Sequence, residues 1–426
     1  MEETMKDTTL YAETKENKSN TKLSFFDFLL FVFMMAYYLM PSINETLPFV
    51  LVLTLSIAYT SILCLINTKE TPYYLTVLVL AAILSVLYFL LTDSATISTG
   101  TSSYALKRIL SKMNQLYMSF FPLIIFLRIQ RYASEGQKKM LLFIALAMFF
   151  FVLINTVIEL RDNENATRSW DEFTEQAENN VGTYAYVYAV PIVMSLIPAL
   201  FIRLKAWWQR LILIAVTVFL VMFLLLAQYT LALLISMVGV VLQIDANIEK
   251  PTTKVIIWLV LVLLLISMPT LLDFMASKVP SKQMALRLKD VAAFFGRGDI
   301  SGYNLAERLK LYWKTIEAFF KSPLIGNRSL GFDGHSTFLS FFADLGLLGG
   351  IPYVVLYAQS KKNIDSRFDK AEVKIFVPVF ISLILMGLTN PIHTAQPLSF
   401  AVWLLIPLLI NMTTKKEKNN EASLGN

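Results

Sequence analysis

About twelve runs of apolar residues, each near the length that crosses a bilayer as a helix, divide the sequence: 25–40, 47–66, 73–91, 109–127, 140–158, 183–202, 211–227, 229–243, 255–272, 336–358, 375–389 and 397–411. Ordinary globular statistics do not apply to a chain that is 56% hydrophobic with a mean hydropathy of +0.59. The expectation is an all-α, polytopic integral membrane protein, with spans one to nine over 25–272 and spans ten to twelve over 336–411. The polar stretch Met1 to Lys22 lacks the n-region and cleavage site of a signal peptide and reads as a retained tail. Cys64 is the single cysteine and lies in an apolar run, so neither an intramolecular disulfide nor a thiolate metal site is expected.

Lys and Arg in short loops are retained on the cytoplasmic side of a membrane. Lys6, Lys15, Lys18 and Lys22 mark the N-terminal tail, and Arg128, Arg131, Lys138 and Lys139 fall on the same side by parity. Arg203, Lys205 and Arg210 follow, then Lys361, Lys362, Arg367, Lys370 and Lys374, and finally Lys415, Lys416 and Lys418. The opposite loops Pro41 to Pro48 and Asn390 to Pro397 carry neither Lys nor Arg. Both tails, 1–24 and 412–426, are therefore expected in the cytoplasm, and no nucleic-acid partner is expected.

Two outer segments exceed simple turns. Glu159 to Asn180 is acidic and polar and reads first as a solvated loop. The second, 273–335, is long enough to cross the membrane regardless of its charge, so its many basic residues need another explanation. Within it, NLAERLKLYWKTIEAFFKSP opens on Asn304 with Glu307 three positions on and stops at Pro323, which predicts a capped helix. Leu305, Leu309, Tyr312, Trp313, Ile316, Phe319 and Phe320 share one face of it, as in helices that lie in a membrane interface. Arg308 falls at the seam between the faces, where it either snorkels to lipid headgroups or points along the bilayer surface toward a cavity. An earlier piece, SKQMALRLKDVAAFFG, shows a weaker stripe of Met284, Leu288, Val291 and Phe295, with Arg287 beside it and Gly296 as its stop.

The order Arg308, Trp313, SPLIG over Ser322 to Gly326, and GHSTFLSFFADLGLLG over Gly334 to Gly349 resembles the O-antigen ligase and Wzy-type O-antigen polymerase family of membrane glycosyltransferases. An LGLLG alone is common in membrane helices; its coupling to an upstream PLIG and an Arg-to-Trp helix carries the resemblance. The resemblance implies a GT-C-like fold with a large outer loop between the ninth and tenth spans. It implies an enzyme without metal or other cofactor, acting on the outer face of a bacterial cytoplasmic membrane. The donor would be an oligosaccharide on a polyprenyl diphosphate and the acceptor a hydroxyl on another glycan. A flippase and a chain-length regulator would be further partners. A growing glycan as acceptor makes the protein a polymerase of surface-polysaccharide repeat units; another acceptor makes it a ligase.

By the same resemblance, His335 takes the hydroxyl proton and Arg308 binds the diphosphate. A neutral imidazole suits the first task and a guanidinium, which grips phosphate bidentately, suits the second. Trp313 lies on the substrate-binding helix. One departure is visible: family members carry Ser-Arg in the turn between the seventh and eighth spans, where this chain has Ala227, Gln228, Tyr229 and Thr230. Gln228 and Tyr229 are candidate hydrogen-bond donors at that spot, and Arg287, Arg297 and Arg328 are candidates for the relocated charge. Asp344 follows His335 by nine residues, half a helical turn out of phase and about 13 Å along the axis, so it is read as buried packing and not as the imidazole's partner. His393, in NPIHTAQP, is read first as a turn histidine. The competing class is a transporter or lipid-linked sugar flippase, which would place charged residues near the midplane and repeat its two halves; neither sign is present.

Overall fold

The computed structural model describes residues 23–66, 68–92, 102–168, 173–278, 304–327 and 336–413, with positions 285, 286, 288, 289, 292, 293 and 296. Among these residues every regular element is helical. Hydrocarbon offers a backbone no outside partner, so long apolar runs satisfy their N–H and C=O groups internally as helices. The first half comprises α1 (Phe25–Leu39), the short α2 (Pro41–Thr46), α3 (Phe49–Leu65), α4 (Thr71–Thr92), α5 (Ser102–Met118), α6 (Phe121–Tyr132) and α7 (Glu135–Asp162). The second half comprises the short α8 (Phe173–Glu178), α9 (Tyr184–Arg203), α10 (Trp207–Ala227), α11 (Thr230–Asn247), α12 (Pro251–Lys278), α13 (Asn304–Lys321), α14 (Thr337–Asp365) and α15 (Lys370–Thr389). The last helix, α16, opens at Gln396–Phe400 and runs through a π-helical turn, Ala401–Leu405, to Thr413.

A helix stands at each expected span, and seven of those described are long and apolar enough to cross a membrane: α4, α7, α9, α10, α14, α15 and α16. An eighth arises if α5 and α6, bent by 41° at their junction, form one span. That bend falls inside the expected span 109–127. Lys107, Arg108, Lys112, Asn114 and Gln115 make α5 amphipathic, and α6 restarts with Pro122, which has no N–H to continue the helix. The centre of the bundle is α9 and α16, packed by α10, α11 and α15, whereas α7, α10 and α12 leave rows of large apolar side chains exposed, such as Phe143, Ile158, Val218, Leu263 and Ile266. A surface of that kind suits lipid and not water.

The loops sort to two ends of the bundle. At one, buried Glu70, from the turn before α4, binds Arg131 at the end of α6 (2.6 Å) and Arg367 after α14. Burial alone would raise the Glu70 carboxyl, but Arg367, Thr68 and Arg131 outweigh it and hold the group below the usual carboxylate range. Asp27, which caps nothing but faces Tyr59 (2.7 Å) and Arg128 (3.4 Å), lies at the same end. At the other, the loop end, Asn180 accepts from Ser42, Asn44 donates to Gln396, and Tyr184 bonds Thr394. The segment 159–180 is not solvated throughout: among its described residues Ala166, Thr167, Gln176 and Ala177 are buried, and α8 packs on α2, while Asp162, Glu164 and Glu178 stay exposed. Beyond α12 the chain folds back, burying Leu288 and Ala292 against Met268, Leu272 and Ala276.

Candidate functional site

Helix α13 forms where the spacing predicts it, but its inward face is not the centre of its apolar stripe. Thr315 and Ala318 are buried, with Arg308 and Tyr312 half-buried on the same side, while Trp313 is 70% and Phe320 71% exposed. The helix thus has three faces, and the bulkiest apolar residues turn away from the protein. The Trp313 side chain joins the exposed Leu309, Phe320 and Leu324 in an apolar outer face. Tyr312 donates its hydroxyl proton to Thr389 O at 2.8 Å, which ties α13 to the end of α15.

The motif SPLIG…LGLLG is the lock that fixes α13 on α14. Gly346 breaks the helical path of α14 with φ 59° and ψ −157°, a backbone region open in practice only to glycine. The break leaves helix N–H and C=O groups without their usual partners, and the turn after α13 supplies them. Leu347 N donates to Pro323 O (2.8 Å), Leu348 N to Leu324 O (3.1 Å), and Asn327 N to Ala343 O (2.8 Å). A Cβ on Gly346 would stand 2.5 Å from the Leu324 backbone, and one on Gly326 (φ 74°) 2.1 Å from Asp344 O. Asp344 is buried beside this junction, as its phase along α14 predicts.

Arg308 meets a second arginine that the sequence reading passed over. Arg168, from the segment between α7 and α9, donates from one terminal nitrogen to Ala227 O (3.1 Å) and Gln228 O (2.6 Å) and lies 4.3 Å over the Tyr229 ring. Gln228 is in the left-handed region (φ 57°), which turns the two carbonyls of the α10–α11 junction toward it. Gln228 and Tyr229, expected to offer donors to a substrate, spend them within the protein: Gln228 Nε2 on Glu164 (3.1 Å) and the Tyr229 hydroxyl on Thr167 O (3.4 Å). They hold the segment that carries Arg168. Tyr188 stands edge-on to Tyr229 at 6.0 Å, and Arg308 hydrogen-bonds Tyr312 and acts electrostatically on Tyr188 and Tyr229. Burial, and then the nearby Arg308 charge, lower the Arg168 pKa, although Tyr229 and Tyr188 oppose the shift. No periodicity points to Arg168; only its place opposite the missing turn arginine could have suggested it.

The third component is the start of α14. Ser336 is its N-cap, accepting from Leu339 N at 3.2 Å and donating to Gly387 O. Thr337 N donates to Asn390 O, and Thr337 Oγ1 accepts from Ile392 N at 2.6 Å, so α14 begins braided to the 390–395 loop. His393 lies in the short helical turn Ile392–Thr394, with its side chain engaged. It is half-buried, its Nδ1 lies 3.3 Å from Thr337 Oγ1, its ring meets Phe341 edge-on, and Ser119 at the α5–α6 bend donates to its carbonyl. Burial, and secondarily the Lys112 charge, push the His393 imidazole down to about 3, so it is neutral at physiological pH. His335, Arg287, Arg297 and Arg328 lie outside the described residues. Among the described residues, no group of three or more His, Cys, Asp or Glu is arranged to hold a metal ion. No family model matches the chain, and no curated protein matches it.

Proposed function

We propose that the protein is a membrane glycosyltransferase that polymerises polyprenyl-diphosphate-linked repeat units of a bacterial surface polysaccharide, at the outer face of the cytoplasmic membrane. The reading takes the chain as twelve crossings of GT-C-like type with both termini in the cytoplasm and the loop end outside. The observation that supports it most is the SPLIG turn seated in the Gly346 break. It ties Arg308, on a helix with an apolar outer face, to the helix whose capped start follows His335 directly. An amphiphilic donor needs that combination: apolar surface for its tail and guanidinium for its diphosphate.

In the proposed reaction the acceptor hydroxyl oxygen bonds to the donor's anomeric carbon while the bond from that carbon to the diphosphate oxygen breaks. The bonding pair leaves with the diphosphate, whose charge Arg308 stabilises, and the hydroxyl proton passes to His335. A helix N-terminus disfavours the imidazolium, so His335, just ahead of the Ser336 cap, is proposed to rest in the neutral, proton-accepting form. Ligation to a different acceptor uses the same chemistry. A transporter would use a broken helix to coordinate cargo; here the N–H groups at the break are occupied by Pro323 and Leu324.

The test is purified protein in proteoliposomes with lipid-linked repeat units as donor and acceptor. His335→Ala and His335→Gln are expected to insert and fold yet lose about two to four orders of magnitude in transfer rate. Near-normal products from well-folded His335→Ala protein would remove the base from the scheme.

A further inference from the structure

We propose that Arg168 is the second diphosphate-binding guanidinium of the donor site, delivered by the segment between α7 and α9 and acting beside Arg308. This assignment rests on the glycosyltransferase reading and extends it to a residue outside the resembling motif. The Arg168 guanidinium is held by one terminal nitrogen on Ala227 O and Gln228 O and lies 4.3 Å over the Tyr229 ring, so the protein's own contacts position it at this turn. A guanidinium carries five N–H donors in a rigid fork, and two carbonyls do not exhaust them. The segment lays two side chains on the α10–α11 turn: Glu164 accepts from Gln228 Nε2, and Arg168 holds the turn's two carbonyls.

The fold brings Arg308 close enough to act on this cation, with Tyr188 and Tyr229 beside both and Tyr312 hydrogen-bonded to Arg308. Two like charges drawn together in a half-buried setting repel, and a dianion between them removes that cost. A diphosphate has two phosphoryl groups for two forks, and when its bond to the sugar breaks the added negative charge falls where both cations can meet it. The apolar side chains exposed on the helix that carries Arg308, among them Trp313 and Phe320, commit the site to a lipid-linked anion.

Equilibrium binding of farnesyl diphosphate to the full-length protein in nanodiscs tests the assignment, with farnesyl monophosphate and inorganic pyrophosphate as parallel probes. The wild type is expected to bind farnesyl diphosphate more tightly than either. Arg168→Ala should weaken that binding about tenfold or more, and Gln228→Arg introduced into Arg168→Ala, which returns a guanidinium to the same turn, should recover most of it. Unchanged affinity in Arg168→Ala overturns the assignment and leaves the glycosyltransferase reading standing. A loss that Gln228→Arg does not recover overturns it as well, leaving Arg168 a clamp on the turn. Pyrophosphate bound as tightly as the prenyl compound contradicts a lipid-linked ligand. Absence of farnesyl diphosphate binding in the wild type contradicts the reading itself.

Discussion

Arg308, Lys310 and Lys314 lie within two turns of α13, but only Arg308 is turned inward; Lys310 and Lys314 are exposed. Arg308→Lys keeps the charge and loses the planar fork, so polymer formation should fall about 10- to 100-fold, measured as initial rate with lipid-linked donor. Lys310→Ala and Lys314→Ala should remain within about twofold, because exposed charges contribute little. Equal, mild effects at all three positions would mean that Arg308 only touches headgroups. The spacing put Arg308 at the seam of the helix, yet it could not choose the direction, because an apolar stripe facing lipid and one facing protein look alike in sequence. Arg168 was illegible for another reason. Its contacts lie about sixty residues away on a turn whose left-handed residue is a glutamine and not a glycine.

At the scale of elements, the pairing of SPLIG with LGLLG proves to be a joint. The SPLIG turn and the LGLLG stretch are separated in sequence and answer each other's unpaired backbone groups. Gly346→Ala should cost about 1–3 kcal/mol for the backbone conformation alone, and the 2.5 Å approach to Leu324 adds to it. A drop in thermal stability together with loss of transfer is therefore expected, because Arg308 is carried by the displaced helix. Gly136→Ala in α7 is the control: its Cβ would meet nothing nearer than Ser134 Oγ at 4.0 Å, so stability should hold or rise. That α13 would be a helix ending at Pro323 was legible from its cap, its period and its proline. The break in α14 was not, since Gly346 sits in an apolar run that reads as continuous. The bend between α5 and α6 was likewise hidden, although the charges of α5 were a signal against a straight span there.

Across the whole molecule, the alternation of basic and uncharged loops foreshadowed the sorting of the loops to two ends, one clamped by Glu70, Arg131 and Arg367, the other carrying both arginines and the capped start of α14. What charge alternation cannot give is which loops at one end touch one another, because that depends on side-chain contacts such as Asn44 with Gln396 and Tyr184 with Thr394. The proposed enzyme needs all of them at one membrane face, with donor and acceptor both reaching it from outside. The measurement that tests this most directly uses the purified wild type alone in proteoliposomes, lipid-linked repeat units supplied to the loop-end face, and product length and released polyprenyl diphosphate followed together. The account predicts a lengthening ladder of glycans with one polyprenyl diphosphate released per linkage. Intact lipid-linked units crossing the bilayer with no ladder and no release would contradict it and make the protein a transporter.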